Sequence, residues 1–195
     1  MRFIDFDVRK PDFQTLKAAA ELLADDYPVV FPSDTTYGIL MRYSAENAAR
    51  LHALRRENTD NPFLLVISED YDWHALTLAD ALPRENLDAV ATYWPGPNTL
   101  IFPKHQSLAY PVADSVALRM PAAEGNKAFH TLVQLCDFPV LAPSFNRPGE
   151  PVITTKAAAE EKFAEIEYAF WDESYRPGEP SAIWDLRQAP PQKLR

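Results

Sequence analysis

The 195-residue chain has little of two residue types on which common phosphate-binding and metal-binding motifs depend. It has five glycines, and neither the G-x-G-x-x-G pattern nor the P-loop pattern occurs. Cys136 is the only cysteine, which excludes an internal disulfide and a cysteine-based zinc site. If a nucleotide binds, side chains rather than a glycine-rich loop must therefore do most of the holding.

Net positive charge and long apolar runs are also absent. The formal net charge of −9 argues against a general electrostatic grip on nucleic acid, although a local basic patch is compatible with it. No run of about 18 apolar residues is present to span a membrane, and the N-terminal residues lack the apolar core of a signal peptide. We therefore expect a cytoplasmic protein.

The composition is that of a folded globular domain. Hydrophobic residues make up 47% and charged residues 24% of the chain, and its length suffices for one compact domain. We expect a single domain over residues 1–195, with residues 187–195 as a proline-containing C-terminal tail.

The stretch from Val29 to Leu40 reads as a strand, a polar loop and a second strand. Apolar residues run into Pro32, hydroxyl side chains then surround the carboxylate of Asp34, and a second apolar run follows Gly38. The loop residues leave two interpretations open: a turn that bonds its own backbone, and a rigid polar wall of a ligand site. For Asp34 we favour a loop-shaping role over Mg²⁺ binding.

Helical and strand patterns alternate along the rest of the chain. Asp12 and Ser44 are suitable N-caps for two helices with apolar faces. Further helices are predicted near residues 72–78, 84–93, 126–136 and 156–163. Further strands are predicted near residues 62–67, 98–102, 116–120, 140–142, 167–171 and 182–186. The alternation predicts an α/β fold with a mixed sheet, helices on both faces and polar loops at strand ends, where ligands gather.

Five motifs occur in order along the chain: Pro32-Ser33-Asp34-Thr35-Thr36-Tyr37-Gly38, the basic helix end Arg55-Arg56 followed by Asn61-Pro62, Trp94-Pro95-Gly96-Pro97-Asn98-Thr99, Arg119-Met120-Pro121, and Ser144-Phe145-Asn146 with Gly149. In this order and spacing they resemble the Sua5/YciO/YrdC family of threonylcarbamoyl-adenylate synthases and their relatives. The resemblance implies a YrdC-like fold, in which a twisted mixed sheet surrounds a basic cavity.

The resemblance also implies a reaction. L-threonine, bicarbonate and ATP with Mg²⁺ are joined into threonylcarbamoyl-AMP with release of pyrophosphate, which makes the enzyme a nucleotidyltransferase. Partner proteins then use the product to modify adenosine 37 of tRNA. This chemistry needs positioned reactants and neutralised phosphate charge, but no covalent enzyme nucleophile and no metal site built from protein side chains alone.

The resemblance also implies two groups of site residues. The resemblance assigns catalysis and ATP binding to Arg55, Ser144 and Asn146, with Arg56 and Arg195 as further ATP-binding residues. It assigns threonine binding to Thr35, Tyr37, Arg119 and Ser181. The Arg119 guanidinium suits a bidentate contact with the threonine carboxylate.

Glu57, Val66 and Phe145 depart from the family pattern, and Val66 stands where the synthases often have a histidine. Glu57 stands where the family has the second cation of a Lys-x-Arg motif, and Phe145 places a bulky ring in the Ser-x-Asn loop. A carboxylate that faces a triphosphate costs binding energy, so either Arg56 takes over or the ATP chemistry is altered, as in a divergent YciO-like branch. A paralogue without synthase activity that binds double-stranded RNA, tRNA or another anion is the alternative.

Overall fold

The computed structural model describes residues 1–58, 63–108 and 114–195. Asn61 and Pro62 of the second motif, and with them the start of the predicted strand 62–67, lie outside the described residues. The fold below is therefore that of the three described ranges.

Ten strands in these ranges form one mixed sheet. They are β1 (Arg2–Asp5), β2 (Val29–Pro32), β3 (Tyr37–Arg42), β4 (Leu65–Val66), β5 (Asn98–Pro103), β6 (Ser115–Arg119), β7 (Val140–Leu141), β8 (Tyr168–Trp171), β9 (Ala182–Asp185) and β10 (Gln192–Lys193). Their order is β1-β8-β2-β3-β7-β4-β6-β5-β9-β10. The pairs β1/β8, β8/β2, β4/β6 and β5/β9 are parallel, and the others are antiparallel. The predicted mixed sheet is confirmed.

Five α-helices accompany the sheet in the described residues: α1 (Phe13–Ala24), α2 (Ala45–Arg55), α3 (Arg84–Tyr93), α4 (Lys127–Leu135) and α5 (Lys156–Lys162). The predicted caps form, since the Asp12 carboxylate accepts from the Thr15 amide at 2.9 Å and the Ser44 hydroxyl accepts from the Asn47 amide at 3.0 Å. In the described ranges no helix combines the length and the apolar character needed to cross a bilayer.

Alternating side chains of the β2–β3 hairpin put helices on both faces. Phe31 and Leu40 pack in a cluster with residues of α1 and α4. Val30 and Ile39 belong to a second cluster, which includes residues of α2, α3 and α5. The side-chain period of two along a strand thus gives both faces of this hairpin a buried partner, which explains why its apolar runs are nearly continuous.

Several predicted elements differ in the structure. The predicted helix at 72–78 is replaced by a short 3₁₀ turn, Trp73–Leu76, which is followed by a second turn, Ala79–Ala81, and the predicted strand 62–67 is seen only as β4. β1 was not predicted. Residues 187–195, expected to be a tail, contain β10, which pairs with β9. Two-residue strands have no period to detect, because backbone hydrogen bonds alone define them.

The last residues are tied to the body of the fold by side-chain contacts as well. The Asn86 side-chain amide donates to the carbonyls of Leu186 at 2.7 Å and Gln188 at 2.5 Å. The Leu194 amide donates to the Ile183 carbonyl at 2.8 Å. These contacts bring the end of the chain back beside β9.

His52 is a buried titratable group on α2. The residue is 2% exposed, and its imidazole stacks on the Phe63 ring with the two ring centroids 4.1 Å apart. Among the described residues neither ring nitrogen has a hydrogen-bond partner. Burial is the main cause that lowers the pKa of His52 below its ordinary value.

We expect His52 to make the protein less stable in mild acid. Because the pKa is lower in the folded state, the unfolded chain takes up a proton first as the pH falls below about 6.5, and unfolding becomes easier by at most about 1.4 kcal/mol per pH unit. A His52→Phe variant should lose less stability than the wild type between pH 7 and pH 5 in denaturant titrations. His74→Phe, at an exposed position, is the control; parallel losses in His52→Phe and wild type would contradict the assignment.

Candidate active site

A cavity of about 370 Å³ opens beside the loop that joins β2 and β3. Seven of the nine predicted site residues line it: Thr35, Arg55, Arg119, Ser144, Asn146, Ser181 and Arg195. They come from parts of the chain that are far apart in sequence, and the sheet brings them together. Its size and polar lining suit a small ligand rather than a macromolecular surface.

The loop between Pro32 and Tyr37 is held by its own polar groups. The Ser33 hydroxyl donates to the Thr36 carbonyl at 2.7 Å and accepts from the amides of Thr35 and Thr36 at 3.2 Å each. The same three side chains line the cavity. The loop is therefore a self-bonded turn, as in the first interpretation, and it also forms a wall of the cavity.

Other segments fix the same loop from outside. The side chains of Asn126 and Tyr175 both donate to the Ser33 carbonyl at 2.9 Å, and the Gly178 amide donates to the Thr35 carbonyl at 2.7 Å. Burial raises the pKa of the Tyr175 hydroxyl, which keeps it protonated as a donor. Sequence reasoning missed these three supports, because no local pattern indicates which distant carbonyl a polar side chain will reach.

Arg119, at the end of β6, forms a buried ion pair with Asp34. The residue is 3% exposed, and its Nη2 lies 3.0 Å from Asp34 Oδ1, off the axis of a regular hydrogen bond. Nη1 lies 3.3 Å from the Thr35 hydroxyl oxygen. Burial lowers the pKa of Arg119, and the charge of Asp34 opposes that change. Asp34 thus contacts a cation of the site, whereas the hydrogen bonds that shape the loop are made by the Ser33 hydroxyl.

The loop that follows β7 is attached to the start of β3. The Phe145 amide donates to the Tyr37 carbonyl at 2.7 Å, and the Ile39 amide donates to the Pro143 carbonyl at 2.9 Å. These bonds extend the sheet pairing beyond the two residues of β7. They carry Ser144 to the edge of the cavity.

The bulky ring of Phe145 does not obstruct the cavity. It is fully buried and packs on Phe163, with ring centroids 5.0 Å apart, so it belongs to the core behind the loop. The side-chain amide of the next residue, Asn146, donates to the Glu150 carbonyl at 2.6 Å. The departure from the family pattern at Phe145 is therefore absorbed by packing.

Arg55 connects the end of α2 to this loop. The residue is 7% exposed, and its Nη1 donates to the Ser144 carbonyl and, at 3.4 Å, to the side-chain oxygen of Asn146. Its Nε lies 2.8 Å from Glu57 Oε2, and Glu57 also lines the cavity. Arg55, Ser144 and Asn146 thus form one contiguous group.

The other two predicted site residues lie away from the cavity lining. Arg56 is exposed, at the C-cap of α2, and has a left-handed backbone with φ of 53°. The Tyr37 ring stacks on Trp171 at 4.4 Å, and its hydroxyl donates to the Asp172 carbonyl at 3.1 Å. In this structure Tyr37 packs in the core next to the loop. Arg56 does not take the place of the cation that the family has at the position of Glu57.

The described residues offer no ready-made metal centre, since no group of three or more His, Cys, Asp or Glu side chains among them is placed to hold an ion. One carboxylate, that of Glu57, stands among the described lining residues together with several hydroxyls. Mg²⁺ that travels with a nucleotide takes most of its ligands from phosphates and water, and needs one or two carboxylates at most. The lining is compatible with that mode.

We expect removal of the Asp34 charge to destabilise the fold, because Arg119 would remain buried without its counter-ion. Asp34→Asn should lower the free energy of unfolding by about 3 kcal/mol, and adding Arg119→Met should recover part of that loss. The matched control is Asp88→Asn, whose partner Arg84 is 85% exposed, and which should cost less than about 1 kcal/mol. Equal losses at the two aspartates in urea titrations would contradict this account.

Comparison with known proteins identifies relatives. The Sua5/YciO/YrdC family model, described as "Telomere recombination", matches residues 21–195. The threonylcarbamoyl-AMP synthase of Pyrococcus abyssi is 32% identical over 185 residues, which cover 92% of this chain and 53% of that protein. The synthase of Bacillus subtilis is 30% identical over 138 residues, or 68% of this chain and 38% of that protein. The chain thus spans about half or less of the length of these two relatives.

Solved structures agree with this assignment. The structure of P. abyssi Sua5 complexed with L-threonine superimposes with a TM-score of 0.84 and 28% identity, over all of this chain and 57% of that one. Escherichia coli YciO has a TM-score of 0.78 and 16% identity, over 99% of this chain and 93% of its own, and shows the shared fold. The family match over most of the chain, together with these similarities, shows that the protein belongs to the Sua5/YciO/YrdC family.

Proposed function

We propose that the protein is a threonylcarbamoyl-AMP synthase-like enzyme, a nucleotidyltransferase that forms threonylcarbamoyl-adenylate from L-threonine, bicarbonate and ATP. The observation that carries the proposal is one cavity lined both by the buried Arg119 with its hydroxyl neighbours and by the group around Arg55. Relatives at about 30% identity carry this activity in their names. The product would serve the modification of tRNA adenosine 37 through partner proteins.

The threonine end of the proposed site is built around Arg119. A planar guanidinium held by Asp34 and Thr35 is already oriented, so a carboxylate can bind it without an entropic cost for ordering the side chain. The Ser181 hydroxyl lies 2.9 Å from the Thr99 hydroxyl, and a hydrogen bond between them holds the Ser181 side chain in place. Ser181 and Thr35 can then hydrogen-bond the polar groups of the amino acid.

The nucleotide end is built around Arg55, Ser144 and Asn146. The threonine amine attacks the carbon of bicarbonate, with loss of water, and gives a carbamate. A carbamate oxygen then attacks the α-phosphorus, and the bond to the β-phosphate breaks so that pyrophosphate leaves with the electron pair. The role of these side chains is to hold the carbamate and the α-phosphate in line and to neutralise charge that develops between them.

Mg²⁺ bound to the nucleotide supplies further neutralisation of the polyphosphate charge, and Glu57 would be the lining carboxylate to face it.

The alternative, a double-stranded RNA or tRNA-binding protein, has less support. Arg55 and Arg119 are buried in a cavity of ligand size, and the Arg147 guanidinium donates to the Lys162 carbonyl instead of lining that cavity. RNA recognition by shape needs cations spread over a wide exposed surface.

The purified protein should release pyrophosphate from ATP and Mg²⁺ only when L-threonine and bicarbonate are both present. The requirement for both follows because the carbamate is the nucleophile, and mass spectrometry should find threonylcarbamoyl-AMP in the same reaction. The control replaces L-threonine with L-valine, which has the same shape but lacks the hydroxyl. No pyrophosphate release, together with no binding of ATP or threonine by calorimetry, would overturn the proposal.

Substitutions at the two ends of the site should affect the binding of threonine and of ATP separately. Arg119→Lys should weaken threonine binding by about 10-fold to 100-fold, because a lysine cannot make the bidentate contact, and should leave ATP affinity nearly unchanged. Asn146→Ala should do the reverse. Arg42→Lys, in the sheet but outside the cavity lining, is the control for exchange of an aspartate-paired arginine. Calorimetric titrations in which Arg119→Lys weakens only ATP binding would contradict the assignment of the ends.

A further inference from the structure

Glu57 is held in the cavity by the way α2 ends. Arg56 adopts a left-handed conformation, and the Arg56 and Glu57 amides donate to the carbonyls of Ala53 at 3.1 Å and His52 at 3.0 Å. This turn brings Glu57 back beside the last residue of the helix, Arg55, at 2.8 Å. The Glu57 side chain is only 12% exposed, so its carboxylate is a fixed part of the lining rather than a surface charge.

Because the Glu57 carboxylate is part of the lining, the net positive charge of the cavity is small. Among the described residues, three lining arginines (Arg55, Arg119 and Arg195) are offset by Glu57 in the lining and by Asp34, which pairs with Arg119, so that one net positive charge remains. A nucleoside triphosphate carries about four negative charges near neutral pH, and one Mg²⁺ reduces them to about two. An arginine in place of Glu57 would instead leave three net positive charges. The charge present therefore comes closer to balancing the metal complex than the free nucleotide.

The Arg55–Glu57 pair shows where in the cavity a metal-free nucleotide would be repelled. Arg55 reaches both the carbonyl of Ser144 and the side chain of Asn146, so it lies at the proposed phosphate end, and Glu57 lies there with it. A metal-free polyphosphate that contacts Arg55 meets the Glu57 carboxylate at close range, in a site where water screens charges weakly. A polyphosphate that carries Mg²⁺ presents a cation to the same carboxylate.

We infer that Glu57 makes nucleotide binding depend on Mg²⁺: the cavity accepts a nucleoside triphosphate as its metal complex and rejects the metal-free form. This inference rests on the proposed function, because it takes ATP as the ligand of this cavity. Glu57 acts here as a specificity-determining residue for the form of the nucleotide. Its role differs from that of a second phosphate-binding cation, which the family pattern has at this position.

The test measures ATP affinity by calorimetry with excess Mg²⁺ and with EDTA, for wild type, Glu57→Gln and Glu57→Arg. Mg²⁺ should tighten ATP binding about 100-fold in the wild type and about 10-fold or less in Glu57→Gln, because the repulsion of the metal-free form is gone. Glu57→Arg should bind metal-free ATP more tightly still. Glu57→Gln retains an oxygen that can accept from Arg55, so the arginine can keep its position.

Glu46→Gln is the matched control, because it removes the same charge from an exposed position in the first turn of α2, about 15 Å along the helix. It should show the wild-type ratio. An unchanged ratio in Glu57→Gln, or equal weakening of both forms, would overturn the inference and leave the proposed function standing. A wild type that unfolds cooperatively but binds ATP under neither condition would overturn both.

Discussion

The buried ion pair of Arg119 and Asp34 is the interaction on which the rest of the site depends. Arg119 ends β6, which lies between β4 and β5 in the sheet, and a guanidinium that is 3% exposed needs a counter-ion close by. Asp34 can supply that charge only if its loop is held still. The hydrogen bonds that converge on Ser33 and Thr35, from within the loop and from Asn126, meet this requirement.

The same requirement explains why the site is assembled from distant parts of the chain. Tyr175 lies 142 residues after Ser33, whose carbonyl it contacts, and Arg119 lies 84 residues after Thr35. The sheet brings the segments that make these contacts together. A cavity held in this way is preorganised, so little of the binding free energy of a ligand is spent on ordering the side chains that contact it.

The sequence predicted those parts of the fold in which a local rule decides the structure. Capped amphipathic helices such as α1, continuous apolar strands such as β2, and the motifs that point to the cavity all follow from nearby residues. β10 was missed because backbone pairing alone defines so short and exposed a strand, and β1 was missed because its two apolar residues are too few to show a strand period. The partners of Arg55 and Arg119 could not be predicted either, since Glu57 and Asp34 carry no mark in sequence that shows which cation they will face in the folded chain.

Each buried arginine of the cavity therefore has its own carboxylate inside the protein, Asp34 for Arg119 and Glu57 for Arg55. Such pairing lowers the cost of keeping cations in a poorly solvated cavity, because the empty protein does not have to bury an unpaired charge. It also means that an anionic ligand competes with an existing partner, and gains only the difference between the two interactions. Affinity is reduced, but a ligand of the wrong charge is penalised more than the right one. The arrangement of charges in this cavity thus favours discrimination between anions over tight binding of any one of them.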